Sequence, residues 1–277
     1  MRQIGRIAMA NNKALGQHWL NNRGILDEIA ELARGGNGDD GVDSSADDFS
    51  GNRGGVCLEI GPGLGTLTAS LLRRFDKVVA VEFDEDLARK LPGSFPGTKL
   101  EVVNEDILQF DLGKMPQGYT VAGNIPYYIT SPIIEKVLTT ENMPRRVVLL
   151  IQKEVAERIA SDKGSVLSMM VKNRADVELG PVVLRDEFTP PPEVDSQVIV
   201  LKPHAPIVSD KVMKLIRIGF SAPRKKVTRN LATVVPREEL KMEFVRMNIN
   251  IDVRPAELSL RDWQRVYDAV IKIMSKY

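Results

Sequence analysis

Cysteine is nearly absent from this chain of 277 residues: Cys57 is the only one. No internal disulfide can form, and no thiolate cluster can hold a metal. Set in an apolar, β-prone run, Cys57 reads as a small core residue. Long apolar runs are missing too. The longest is Val147 to Ile151, far short of the roughly 20 residues that a membrane helix needs, and the N-terminus has no apolar segment of the signal-peptide kind. The expectation is a cytoplasmic protein with no membrane attachment. Histidine is scarce as well: His204, beside Pro203, reads as surface loop, His18 is taken up below, and no metal is expected.

What is present is ordinary in amount and uneven in distribution. An apolar fraction of 43% over 277 residues suits one large domain, or a main domain with a smaller one. The net charge is only +1, yet residues 202–277 carry sixteen Lys/Arg against eight Asp/Glu. A basic C-terminal part on an acidic remainder points to a polyanionic partner met by that part. Residues 35–55, rich in Gly, Asp and Ser with five Asp and one Arg, have too little to bury and read as a flexible acidic insertion.

The chain is organised around Val56 to Thr68. An apolar run (Val56, Cys57, Leu58, Ile60) breaks at Gly61, passes Gly63 and Gly65, and resumes with helical spacing at Thr66, so it reads strand, glycine turn, helix. Such a turn brings backbone close to a ligand, as in a Rossmann-like nucleotide site. It also occurs as a plain connection, so the surrounding residues must decide. The dinucleotide fingerprint wants a third glycine where this chain has Thr66, which disfavours NAD. A second strand, Val78 to Val81, ends in Glu82, placed for two ribose hydroxyls. A third, starting at Leu100, runs to Asp106. In a doubly wound sheet Glu59, Glu82 and Asp106 would share one rim with the glycine turn. Three acids there suit a ribose, an amino-bearing base and an ammonium group better than a pyrophosphate, which favours S-adenosylmethionine as the cofactor.

A fourth strand, Tyr119 to Gly123, runs into Asn124-Ile-Pro-Tyr127, and Ser131-Pro132 reads as N-cap and first-turn proline of a new helix. The amino group on adenine C6 is a poor nucleophile because its lone pair is delocalised into the ring. An amide oxygen from Asn124 and the carbonyl of Ile125, held extended by Pro126, can accept both of its N–H bonds and align the nitrogen with a methyl sulfonium. Tyr127 offers a ring on which a flipped base can stack, worth roughly 1 to 3 kcal/mol.

Five stretches carry a family resemblance: Leu15-Gly-Gln17, Glu59 to Thr68, Asn124 to Pro132, Gln152 to Arg158, and Phe188-Thr-Pro-Pro-Pro-Glu-Val-Asp-Ser196. In this order they resemble the KsgA family, the small-subunit ribosomal RNA adenine N6,N6-dimethyltransferases. The resemblance implies a Rossmann-like methyltransferase sheet over 1–201 and a small all-helical RNA-binding domain over 202–277. It further implies dimethylation of two adjacent adenosines near the 3′ end of 16S RNA in a pre-30S particle, by a monomer. Carried over by position, Gln17, His18, Leu20, Gly61, Glu82, Asp106 and Asn124 would line the S-adenosylmethionine site, joined by Glu59 and Gly63. Asn124 to Tyr127 would also meet the target amine, and Phe188 would be a second aromatic on the adenine. The family usually has Asn-Phe where this chain has His18-Trp19. His18 is expected to hydrogen-bond rather than act as a base, since the methylated amine can lose its proton to water.

Beyond the last strand, Val198 to Leu201, helices are expected at 211–220, 228–235 and 238–247, with a final one capped by Ser259 and Asp262. Arg224, Lys225, Lys226 and Arg229 form a short basic cluster suited to RNA phosphates. Rival readings are a macrolide-resistance type dimethyltransferase of large-subunit RNA and a non-catalytic ribosome-assembly or transcription factor on the same fold. The Pro-Pro-Pro-Glu-Val-Asp-Ser run speaks against the first, and intact Asn124, Pro126, Tyr127 and Glu82 against the second.

Overall fold

The computed structural model describes residues 18–35, 55–161 and 163–277. Gln17 and nearly all of the acidic insertion lie outside them. The described chain opens with a two-residue strand, β1 (Trp19–Leu20), and a helix, α1 (Arg23–Arg34). Asn22 caps that helix, its Oδ1 accepting from the amides of Gly24 and Ile25 at 3.0 and 3.3 Å, the expected satisfaction of first-turn donors. Leu26, Ile29, Ala30 and Ala33 form its buried stripe.

Strands and helices then alternate: β2 (Val56–Ile60), α2 (Thr66–Leu71), β3 (Lys77–Glu82), α3 (Glu85–Ser94), β4 (Leu100–Asn104), β5 (Thr120–Asn124), α4 (Thr130–Thr139), β6 (Arg146–Gln152) and α5 (Lys153–Ala160). After α6 (Val166–Lys172) come β7 (Ala175–Val183), the short β8 (Phe188–Thr189) and β9 (Ser196–Pro203). The seven-stranded sheet has the order β4-β3-β2-β5-β6-β9-β7, parallel through β6, with β9 antiparallel to both β6 and β7. β1 and β8 pair separately as an antiparallel ribbon.

The two faces of the sheet can be read from the strand period of two. Cys57, Val78, Ala122, Val148 and Val200 pack with the buried stripe of α1 and with Leu67 and Leu71 of α2. Leu58, Val79, Val121, Leu149 and Leu201 point to the opposite face, against Ile133, Ile134 and Ile159. That second cluster runs on without interruption into the C-terminal helices α7 (Asp210–Gly219), α8 (Val227–Asn230), α9 (Arg237–Arg246) and α10 (Leu260–Met274), where Trp263 is fully buried. Ser259 and Asp262 form the expected capping box of α10. Among the described residues no helix is long and apolar enough to cross a membrane.

Three expected boundaries shift. The helix expected over 228–235 ends at Asn230, where a 3-10 turn over Leu231–Thr233 takes over. A 3-10 turn over Tyr127–Ile129 runs straight into α4, so the helix begins at Thr130 and Ser131 lies inside its first turn rather than capping it. β4 stops at Asn104, whose side-chain amide donates to the carbonyls of Glu82 and Phe83 at 2.9 and 3.2 Å. Asp106 therefore sits on the following loop, its carboxylate accepting from the amide of Leu108 at 2.9 Å.

Candidate active site

The chain goes from β2 outward to β3 and β4, then returns to add β5 on the other side of β2. A crevice opens outside the carboxyl ends of strands where their order reverses, and here that point lies between Ile60 and Asn124. A cavity of about 240 Å³ occupies it, lined by Glu59, Gly61, Gly63, Glu82, Asp106 and Asn124 to Tyr127, with His18 and Trp19 along one side. Glu59 in β2, Glu82 at the end of β3 and Asp106 on the loop after β4 are thus brought together.

The glycine turn is shaped by backbone conformation. Gly61, Gly63 and Gly65 have φ of +64, +55 and +80°, in the left-handed region that glycine enters without penalty. A Cβ at Gly65 would stand 2.7 Å from the side chains of Leu91 and Phe95, so Gly65 allows the turn to press against α3. Gly63 donates its amide to Glu82 at 3.0 Å and Asp84 donates to the other carboxylate oxygen at 2.9 Å. These amides hold Glu82 at the end of β3 and oppose the rise in its pKa that burial causes.

Glu59 has support from Thr68 alone. It is 1% exposed, and its Oε2 has no hydrogen-bond partner. Burial pushes its pKa up to about 8, opposed by the nearby Thr68 and reinforced by the charge of Glu82. An orphaned buried carboxyl beside a cavity is matched by a ligand that brings its own positive charge. Among the described residues no lysine or arginine lines the cavity, which agrees with a cationic nucleoside and offers no basic side chain to a pyrophosphate.

At the opposite wall, the side-chain amide of Asn124 donates to the carbonyl of His18 at 3.0 Å. A carbonyl cannot donate, so the NH₂ must face it, and Oδ1 remains as an acceptor. The Tyr127 hydroxyl bonds Ser196 Oγ at 2.8 Å. Its ring lies roughly parallel to that of His18, centroids 6.3 Å apart and planes at 23°. His18 is held in turn by Pro190, whose carbonyl accepts from Nδ1 at 2.8 Å.

Two expected site residues stand elsewhere. Leu20 and Phe188 face each other across the β1–β8 ribbon and are 1% and 3% exposed. Both belong to the apolar cluster beneath the ribbon, and neither side chain lines the cavity. Residues that sequence reasoning missed include Phe83 and Ile107, each directly following an acid of the site and lining the cavity, and Tyr128, 63% exposed. An apolar residue directly after each acid was the available signal for the first two.

The basic cluster lies apart, on the helical segment. Arg224, Lys225, Lys226 and Arg229 line a surface cleft of about 580 Å³ together with Arg237, Arg254 and Asp252. The Val227 amide, bonded to the Val253 carbonyl at 2.9 Å, ties its two sides together, and Lys226 pairs with Asp252 at 2.5 Å.

An acid-lined crevice at the reversal of a mostly parallel sheet, closed by an Asn-Ile-Pro-Tyr turn, places the protein among S-adenosylmethionine-dependent methyltransferases of Rossmann-like fold. Comparison with known proteins narrows the class. The family model for ribosomal RNA adenine dimethylase matches residues 8–272. Ribosomal RNA small subunit methyltransferase A of Nostoc sp. is 37% identical, the match covering 92% of this chain and 96% of that protein; the enzyme of the same name from Mycoplasma mycoides is 29% identical, covering 95% and 98%. Among solved structures, a dimethyladenosine transferase from Plasmodium falciparum superposes with a TM-score of 0.74 at 27% identity, covering 93% of this chain and 98% of that one. The 23S rRNA methyltransferase ErmE shares the fold, with a TM-score of 0.69 at 24% identity over 91% and 99% of the two chains. The chain belongs to the ribosomal RNA adenine dimethylase family.

Proposed function

We propose that this protein transfers methyl groups from S-adenosylmethionine to the N6 amines of two adjacent adenosines near the 3′ end of small-subunit ribosomal RNA, giving N6,N6-dimethyladenosines. The observation that carries the reading is Asn124: the His18 carbonyl fixes its amide so that Oδ1 is available as an acceptor beside a cavity lined with acids. S-adenosylmethionine supplies an electrophilic methyl on a sulfonium. Glu82 is assigned to the ribose hydroxyls, Asp106 to the adenine amino group and Glu59 to positive charge; Gly61 and Gly63 let the backbone approach.

Asn124 Oδ1 and the Ile125 carbonyl accept the two N–H bonds of the target amine. That draws electron density back onto nitrogen and aligns its lone pair with the methyl carbon. Pro126 fixes the turn and Tyr127 stacks on the flipped base. Bound there, the cofactor would give up its methyl as the S–C bond breaks and the N–C bond forms, and the amine proton would leave to water, so no general base among these residues is required. His18 orients Asn124 through its carbonyl. Leu20 and Phe188 seat the ribbon that carries His18, a packing role in place of direct contact with the base. Arg224, Lys225, Lys226 and Arg229 are assigned to RNA phosphates, with the helical segment as the RNA-facing part of a cytoplasmic monomer acting on a pre-30S particle.

Incubating the protein with methyl-labelled S-adenosylmethionine and unmethylated small subunits, then mapping the modified nucleotides, tests this. Two adjacent dimethyladenosines near the 3′ end are expected. Label at other nucleotides, or none, would refute it.

A further inference from the structure

The phenol oxygen of Tyr127 lies on the axis that runs through Cβ and the ring. A hydrogen bond at that oxygen therefore fixes how the ring axis tilts, while leaving rotation about the axis to whatever lies beside the ring. The partner is Ser196, at 2.8 Å. His18, roughly parallel to the ring, limits the rotation.

Tyr127 itself sits on a 3-10 turn and is only partly buried. Ser196 is the opposite: fully buried, it opens β9 and stands in register with Gln152 of β6 and Val183 of β7. Asp195, the residue before it, is pinned on both sides. Its carbonyl accepts from the Lys153 amide at 3.0 Å and its carboxylate from the Arg185 amide at 3.0 Å. A rigid part of the sheet thus reaches out, through one buried hydroxyl, to a ring on a turn 69 residues away in sequence. A buried hydroxyl is unfavourable unless it is bonded, and a β-branched apolar residue would fill a strand position better.

We infer that Ser196 is a positioning residue for methyl transfer, holding the Tyr127 ring at the tilt that presents the target base to Asn124. The inference rests on the reading of Tyr127 as the stacking platform. Geometry of this kind acts on the reacting arrangement more than on cofactor affinity, and a displacement near 1 Å costs roughly a hundredfold in rate.

The test uses the full-length protein in four forms, Ser196→Ala, Tyr127→Phe, the double variant and Tyr127→Ala, with unmethylated small subunits as substrate. Single-turnover transfer at saturating cofactor, cofactor affinity by calorimetry and urea melts are measured for each. Ser196→Ala and Tyr127→Phe should each slow transfer by roughly tenfold to a hundredfold and leave the cofactor Kd within about twofold. The double variant should be no slower than the worse single one, because both changes remove the same bond. Tyr127→Phe breaks the bond from its partly exposed end, so the result stands even if the buried serine variant folds poorly. Independent, multiplying losses would overturn the inference, as would wild-type transfer by Ser196→Ala and Tyr127→Phe beside an inactive Tyr127→Ala. Wild-type transfer by Tyr127→Ala would instead overturn the platform reading itself.

Discussion

Replacing the buried carboxyl at the floor of the cavity should change how stability depends on pH. Glu59 holds its proton in the folded state up to about pH 8, whereas in the unfolded chain it ionises near the ordinary value of 4.5. Between these values the folded state binds more protons than the unfolded one, so stability falls as pH rises, is full below 4.5 and levels off above 8. At 1.36 kcal/mol per pKa unit the loss is about 3 kcal/mol at pH 7 and about 5 kcal/mol above pH 8. Glu59→Gln removes the titration and keeps the shape. Urea melts of both forms at pH 5, 7 and 9 should show the variant gaining on the wild type by several kcal/mol across that range. A cationic ligand against Glu59 favours the ionised carboxyl, so S-adenosylmethionine should bind the wild type more tightly at pH 9 than at pH 6 and release a proton near pH 7, with neither effect in the variant. Stability curves of the two forms that stay parallel from pH 5 to 9 would refute the reasoning.

Other perturbations address the rest of the molecule. Asn124→Ala should abolish transfer while cofactor binding stays measurable by calorimetry, since the lost acceptor acts on the transition state. Replacing Arg224, Lys225, Lys226 and Arg229 with alanine should flatten the plot of log affinity against log salt for small subunits by about 3, at roughly 0.7 to 0.9 per phosphate contact. Asp252→Asn, which frees Lys226 from its ion pair, should strengthen binding at low salt in the same assay. Gly65→Ala places a Cβ 2.7 Å from Leu91 and Phe95 at a φ of +80° and should lower stability by about 1–3 kcal/mol in a urea melt.

The parts of the site that depend on local pattern are readable in the sequence. The glycine turn follows an apolar run, Glu82 ends its strand, and Asn124 ends β5; each position follows from strand period and loop chemistry within about a dozen residues. Contacts between distant segments are not written in that pattern. Phe188 carries an aromatic signature equal to that of Tyr127, yet pairing with Leu20 turns it into the core. Ser196 reads as the end of a proline-rich loop until β9 is laid beside β6. Arg237 and Arg254 join the basic cleft only because α9 and the loop before α10 fold back to the 224–229 segment. The misplaced helix start at Ser131 has a local cause: a 3-10 turn continues into the helix with no break for a cap to fill.

The ribbon of two strands also sets a timetable. Trp19 and Leu20 pair with Thr189 and Phe188, so the wall that carries His18 has no partner until about 170 further residues have been made. At roughly 5–20 residues per second of synthesis, that is an interval of about ten to thirty seconds. Throughout it the glycine turn and its acids can already be in place while Asn124 and Tyr127 lack the groups that orient them. A nascent or truncated chain ending before Phe188 would hold much of a cofactor pocket while the segment that orients Asn124 has no strand to pair with, and one ending before Ser196 would still lack the partner of Tyr127.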